Sequence, residues 1–171
     1  MERKFTIAHL EIRVLNWSDI VWVSMFSILM SWTFYLKTQH DHYYFAFEMI
    51  TSTFCTYLII LSPIGLKLRS VYFSVLWFIL SLLFMLNLYS IAWIPILDWL
   101  LYHIIRLIFW RNFGREFIPL SVGRGELYHY TSIIENRAGA IQDRNYMRLL
   151  IACGVIINFI CLYGLIGVKA N

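Results

Sequence analysis

The chain has 171 residues, 60% of them hydrophobic and 14% charged, with a formal net charge of +4. Four long apolar runs, and a fifth interrupted by Asp98 and Arg106, take up most of that length, which excludes an ordinary soluble globule. No independent soluble domain of ordinary size fits in the remainder. The expectation is an all-α integral membrane protein, a bundle of about five transmembrane helices with one basic cytoplasmic loop.

Residues 1–17 form an amphipathic cytoplasmic segment. Ile7, Leu10, Val14 and Trp17 suit the apolar stripe of a helix lying on the membrane surface. Leu10-Glu11-Ile12-Arg13-Val14 also alternates as a strand does, and such a strand would extend a partner's sheet. No small-residue cleavage site follows an apolar run, so the first span is expected to stay as an anchor. Ser18 or Asp19 is placed to cap it.

Residues 18–110 make up a four-helix transmembrane region, with spans expected at Ile20–Leu36, Tyr43–Leu61, Val71–Leu88 and Ile91–Trp110. The turn after the first span holds His40 and His42 around Asp41, weak candidates for metal ligands because no third ligand has a defined spacing. Its plain reading is a polar turn. Glu48 sits just over a turn into the second span and is followed by Thr51, Ser52, Thr53 and Thr56. A carboxylate there marks a pathway or a paired contact, unless it reaches the headgroups at the nearby interface. Ser62-Pro63-Ile64-Gly65 is an inner turn. Tyr89-Ser90 is so short a link that the third and fourth helices must be antiparallel neighbours.

The stretch Ile91–Trp110 decides the topology. Its eleven Ile, Leu and Phe side chains favour insertion by about 5 kcal/mol, against about 3 kcal/mol for Asp98 near the middle. Arg106 is expected to snorkel to the interface, and Pro95 either kinks the helix or sits in its first turn. Asp98, Tyr102 and Arg106 share one narrow stripe, with His103 at its edge. Either the helix spans and turns this stripe toward the bundle or a partner, or it lies flat with the stripe in water. Five spans put twelve of the fourteen Lys and Arg residues on one side, leaving Lys37 and Lys169 opposite; four spans split them six against eight. The positive-inside bias selects five, with the N-terminus inside and the C-terminus outside. The basic excess is therefore a topological signal, and no nucleic-acid partner is inferred from it.

Residues 111–146 are the one substantial cytoplasmic loop. Phe117–Val122 and Glu126–Ile134 flank Gly123-Arg124-Gly125 and read as a small β-hairpin, with Pro119 confining the first run to an edge. Arg111, Arg115, Arg124 and Arg137 surround Tyr128, His129 and Tyr130, a composition suited to docking other subunits. Anionic lipid headgroups are a second class of partner, and a solvated connector is the plain alternative. Residues 147–171 hold the fifth span and a short tail, with Asp143 just before it as a cap. Asn158 is a mid-membrane contact residue, and Gly154, Gly164 and Gly167 offer small surfaces without forming GxxxG. Cys153 and Cys161, eight residues or about 12 Å apart on one helix, cannot bridge.

The chain carries no HExxH, GxSxG or P-loop spacing, and nothing in it asks for a cofactor. The reading is a non-enzymatic scaffold or anchor subunit of a multiprotein envelope complex of the secretion-system type, in a bacterial inner membrane, associating with other subunits or itself. The alternative is a small proton- or ion-coupled transporter or channel subunit using Asp98 and Glu48. A third reading, a lipid-headgroup enzyme, would rest on His129 and the loop arginines.

Overall fold

A computed structural model describes residues 6–7, 10–12, 14–39, 42–56, 67–87, 89–118, 131–132, 137–138 and 140–164. The architecture is helical. Five helices, α1 (Trp17–Thr38), α2 (Tyr44–Thr56), α3 (Val71–Phe84), α4 (Ile94–Phe113) and α5 (Ile141–Leu162), form a bundle. A 3-10 turn, Met85–Asn87, continues α3, and another, Ser90–Trp93, leads into α4. α1, α5 and the stretch Ser90–Phe113 are each long and apolar enough to cross a membrane.

Successive helices run in opposite directions. Thr33 meets Thr51 across α1 and α2. Ser74 meets His103, and Phe78 meets Trp99, so α3 and α4 are the antiparallel neighbours that their short link requires. Asn112 and Tyr146 join the end of α4 to the start of α5. One end of the bundle therefore collects the start of α1, the start of α3, the end of α4 and the start of α5. The twelve basic residues gathered by the five-span count include Lys67, Arg69, Arg106, Arg111, Arg115, Arg144 and Arg148, which all belong to this end.

Aromatic packing fills the interior. Phe26 of α1 stacks on Trp77 of α3 at 4.8 Å between ring centroids, and Phe73 and Phe84 close around them, all fully buried. Near the basic end Phe109 of α4 meets Tyr146 of α5 edge-on at 5.0 Å and Phe117 at 5.5 Å. In an apolar surround such contacts hold helices by dispersion and ring electrostatics, because burying a ring away from lipid releases no water.

Helix ends follow local chemistry. Asp19 is the third residue of α1 and accepts from the Asn16 N–H at 3.0 Å, so the helix starts earlier than the Ile20 expected. Asp143 does the same for α5, accepting from Ala140 N–H at 2.9 Å. Pro95 lies in the first turn of α4, where a missing N–H costs little. The Ile91 carbonyl, which a donor at position 95 would otherwise engage, accepts instead from the Ile94 N–H and the Ser52 hydroxyl of α2. Gly114 takes φ +62° and closes α4 by donating to Trp110 O, a left-handed cap that a side chain resists.

Two expectations change, and a third lies mostly outside the described residues. The segment before α1 is not a surface helix: Thr6–Ile7 pairs antiparallel with Leu10–Glu11. α4 runs to Phe113, so Arg106 sits about 10 Å inside its end, is only 3% exposed and does not snorkel. The hairpin around Gly123-Arg124-Gly125 falls mostly outside the described residues. The pair present is Thr131–Ser132 with Arg137–Ala138, which turns later in the loop.

Candidate functional site

The polar side chains inside the bundle are arranged by helix periodicity. On α2, Tyr44, Glu48, Ser52 and Thr56 recur every fourth residue and so share one face. Glu48 and Ser52 are fully buried. On α4, Asp98, Tyr102 and Arg106 make a second such line, with exposures of 0%, 0% and 3%. The stripe faces the bundle.

The two lines meet at mid-bundle. The Thr56 hydroxyl donates to Asp98 Oδ2 at 2.5 Å, and Asn158 of α5 lies 3.4 Å from the same hydroxyl. Asn158 also donates to the Gly154 carbonyl at 2.8 Å, which fixes its amide. Asp98 is thus held by groups from two other helices, and its second oxygen, Oδ1, has no hydrogen-bond partner among the described residues. Cys55 and Cys161 are near enough for Asp98 to act on them electrostatically.

At the end opposite the basic one, Lys37 donates to the Asn87 carbonyl at 2.9 Å and lies 6.0 Å over the Tyr44 ring. Its charge also acts on Glu48. The side-chain atoms of Asn87, which is 1% exposed, have no hydrogen-bond partner among the described residues, and Glu48 has the Tyr44 phenol of its own helix beside it. Glu48 is fully buried a turn of helix inside that end of the bundle, where the Tyr44 and Tyr89 rings pair at 5.7 Å.

At the basic end, Arg69 and Glu116 approach to 3.8 Å, both nearly buried, and act electrostatically on the Tyr102 phenol together with Arg106. Lys67 pairs with Asp19 at 2.7 Å and also bonds Ser18. Arg115, expected in the docking loop, is turned inward, bonding Gln142 at 3.0 Å and lying 3.8 Å from Asp143 and over the Phe109 and Phe113 rings. Arg111 is exposed. Arg124, Tyr128, His129 and Tyr130 lie outside the described residues, as does the side chain of Arg137. His103 leaves the stripe for the other face of α4, where it meets the Ser74 hydroxyl at 2.9 Å beside Trp99.

Of the metal candidates, His40 lies outside the described residues and His42 is exposed. Among the described residues no three His, Cys, Asp or Glu side chains gather closely enough to hold an ion. Sequence reasoning did not single out Lys67, Ser74 or Glu116. Glu116 alone carried a signal, a single acid just after α4 among arginines. No protein-family model, no curated protein and no solved structure matches the chain.

Proposed function

We propose that the chain is a non-enzymatic scaffold or anchor subunit of a multiprotein envelope assembly of the secretion-system type. It crosses a bacterial inner membrane five times, with its N-terminus and basic loop in the cytoplasm and its C-terminus outside. The alternation of five helices supports that topology, as does the sequence count that five spans put twelve of fourteen basic residues on one side. Along their best apolar windows α1 is 28% buried and α5 22%, against 50% for the stretch Ser90–Phe113. The two outer helices turn apolar surface to lipid or to neighbouring spans.

The observation that carries the subunit reading is the pair of short ladders on the basic side. Thr6–Ile7 with Leu10–Glu11, and Thr131–Ser132 with Arg137–Ala138, are each two residues long. Two-stranded pieces of this size are marginal in water, and their outer edges, unpaired among the described residues, are templates for a partner's strand. The exposed Arg111, Arg144 and Arg148 at that end of the bundle gain about 1 kcal/mol each near anionic headgroups, which seats the face against the membrane.

The test is purification of the tagged chain in mild detergent, with mass spectrometry of the intact particle. Stoichiometric foreign subunits that are lost when residues 120–139 are deleted support the reading. A particle containing only this chain defeats it.

A further inference from the structure

The two polar lines inside the bundle form one seam. Down α2 from Tyr44 to Thr56 is a rise of about 18 Å, and down α4 from Asp98 to Arg106 about 12 Å. The lines join through the Thr56–Asp98 hydrogen bond. α2 and α4 run the same way, since Ser52 meets Ile91 and Thr56 meets Asp98, so the two rises add. Their sum, about 30 Å, is the thickness of a bilayer's hydrocarbon core. The chemistry along the seam is carboxylate, hydroxyl, hydroxyl, carboxylate, phenol: Glu48, Ser52, Thr56, Asp98, Tyr102. Glu116 adds a third carboxylate among Arg69 and Arg106 at the basic end.

Interhelical glue accounts for only part of this. Thr33 with Thr51, or His103 with Ser74, are polar contacts of the ordinary adhesive kind, and each is satisfied. Along the seam the pattern is different. The phenol oxygen of Tyr102 is buried with no hydrogen-bond partner among the described residues, Glu48 has only the Tyr44 phenol of its own helix, and Asp98 has only the neutral Thr56 and Asn158 side chains. A buried carboxylate left in this way is costly in an apolar medium unless it takes a proton or a mobile partner.

We propose that this seam is a transmembrane proton path, with Glu48 and Asp98 as its two proton-binding stations. Between them, successive polar side chains of each line lie about 5–6 Å apart on their helix faces, a gap that one water bridges. Each hop breaks one O–H bond at the donor and forms one at the acceptor, so a single proton moves and no oxidant or reductant is needed. The groups that face the stations set the field along the path. Glu48 has Lys37 and Tyr44, Asp98 has Cys55 and Cys161, and Tyr102 has Arg69, Arg106 and Glu116. The inference stands apart from the docking reading, because every station belongs to this one chain.

The test is the purified full chain in proteoliposomes containing a pH-sensitive dye, with proton entry driven by a potassium diffusion potential. Wild type is expected to acidify the lumen at least tenfold faster than protein-free vesicles. Asp98→Asn and Glu48→Gln should each fall to the protein-free rate with unchanged helicity and elution volume, and Asp98→Glu should regain flux. His103→Gln, off the seam, should conduct as wild type does. Wild-type flux at the protein-free rate, or flux that persists in Asp98→Asn, overturns the proposal. Equal loss in Asp98→Asn and Asp98→Glu also overturns it, because side-chain shape and not the proton would then be responsible.

Discussion

Four fully buried acidic side chains fall into two kinds. Asp19 and Asp143 stand at the starts of α1 and α5, and each combines a cap bond to its own helix start with contacts to a distant segment. Asp143 accepts from the Ala140 and Ile118 N–H groups at 2.9 Å each and lies 3.8 Å from Arg115. Asp19 accepts from Asn16 N–H and pairs with Lys67. Asp98 and Glu48, inside the bundle, have only neutral side chains as hydrogen-bond partners, Thr56 and Asn158 for the first and Tyr44 for the second, and no backbone N–H. Equal burial thus conceals opposite roles. The first pair fixes where helices begin and how the chain turns, while the second is held in place but chemically unfinished.

Replacing Asp143 should give the largest structural effect. Asp143→Ala strips two backbone donors of their acceptor and unpins Ile118 from the start of α5, a loss of about 3 kcal/mol. Reversible unfolding in SDS, followed by far-UV circular dichroism, measures it. A loss below about 1 kcal/mol would move Asp143 out of the structural pair.

Asp19→Ala comes next, at about 2 kcal/mol, because it removes one cap bond and an ion pair whose lysine is partly open to solvent. The same assay should show Lys67→Met costing less than Asp19→Ala, since the cap survives. If the two cost the same, the cap contributes nothing and the ion pair is the whole effect.

Thr56→Val tests the boundary between the kinds. It removes the hydroxyl that joins α2 to Asp98 while keeping the side chain's shape, and hydrogen bonds between membrane helices contribute about 1 kcal/mol. The stability loss should be that small.

Much of this division was legible in the residues beforehand. The 3.6-residue period placed Asp98, Tyr102 and Arg106 on one face, and the apolar runs located the starts of the first four helices to within three residues. α5 begins at Ile141, six residues before the Met147 expected, because its first two turns are polar. What could not be read was pairing between elements far apart in the chain. Nothing in the spacing joins Thr56 to Asn158, or Lys67 to Asp19, because helix packing sets those neighbours and periodicity within one helix does not. Arg106 was misplaced for a related reason. The left-handed Gly114 cap, four residues beyond Trp110, defines the true end of α4, and the apolar run alone stopped short of it. The ladder at Thr131–Ser132 escaped too, because Gly123-Arg124-Gly125 was the stronger local turn signal.

The smallest expected change is the most informative. Asp98→Asn keeps an amide oxygen to accept from Thr56, and its NH2 group can donate to the Asn158 side-chain oxygen. Geometry and hydrogen bonding therefore survive, while the ionisable group is lost. Stability should stay within about 0.5 kcal/mol of wild type, the range of a substitution that breaks no packing. The same SDS titration measures it beside Asp143→Ala. If Asp98→Asn unfolds as readily as Asp143→Ala, then Asp98 is a structural acid after all. If stability holds, the carboxyl group at mid-bundle is dispensable for the fold, and its retention at that depth has to be explained by what it binds.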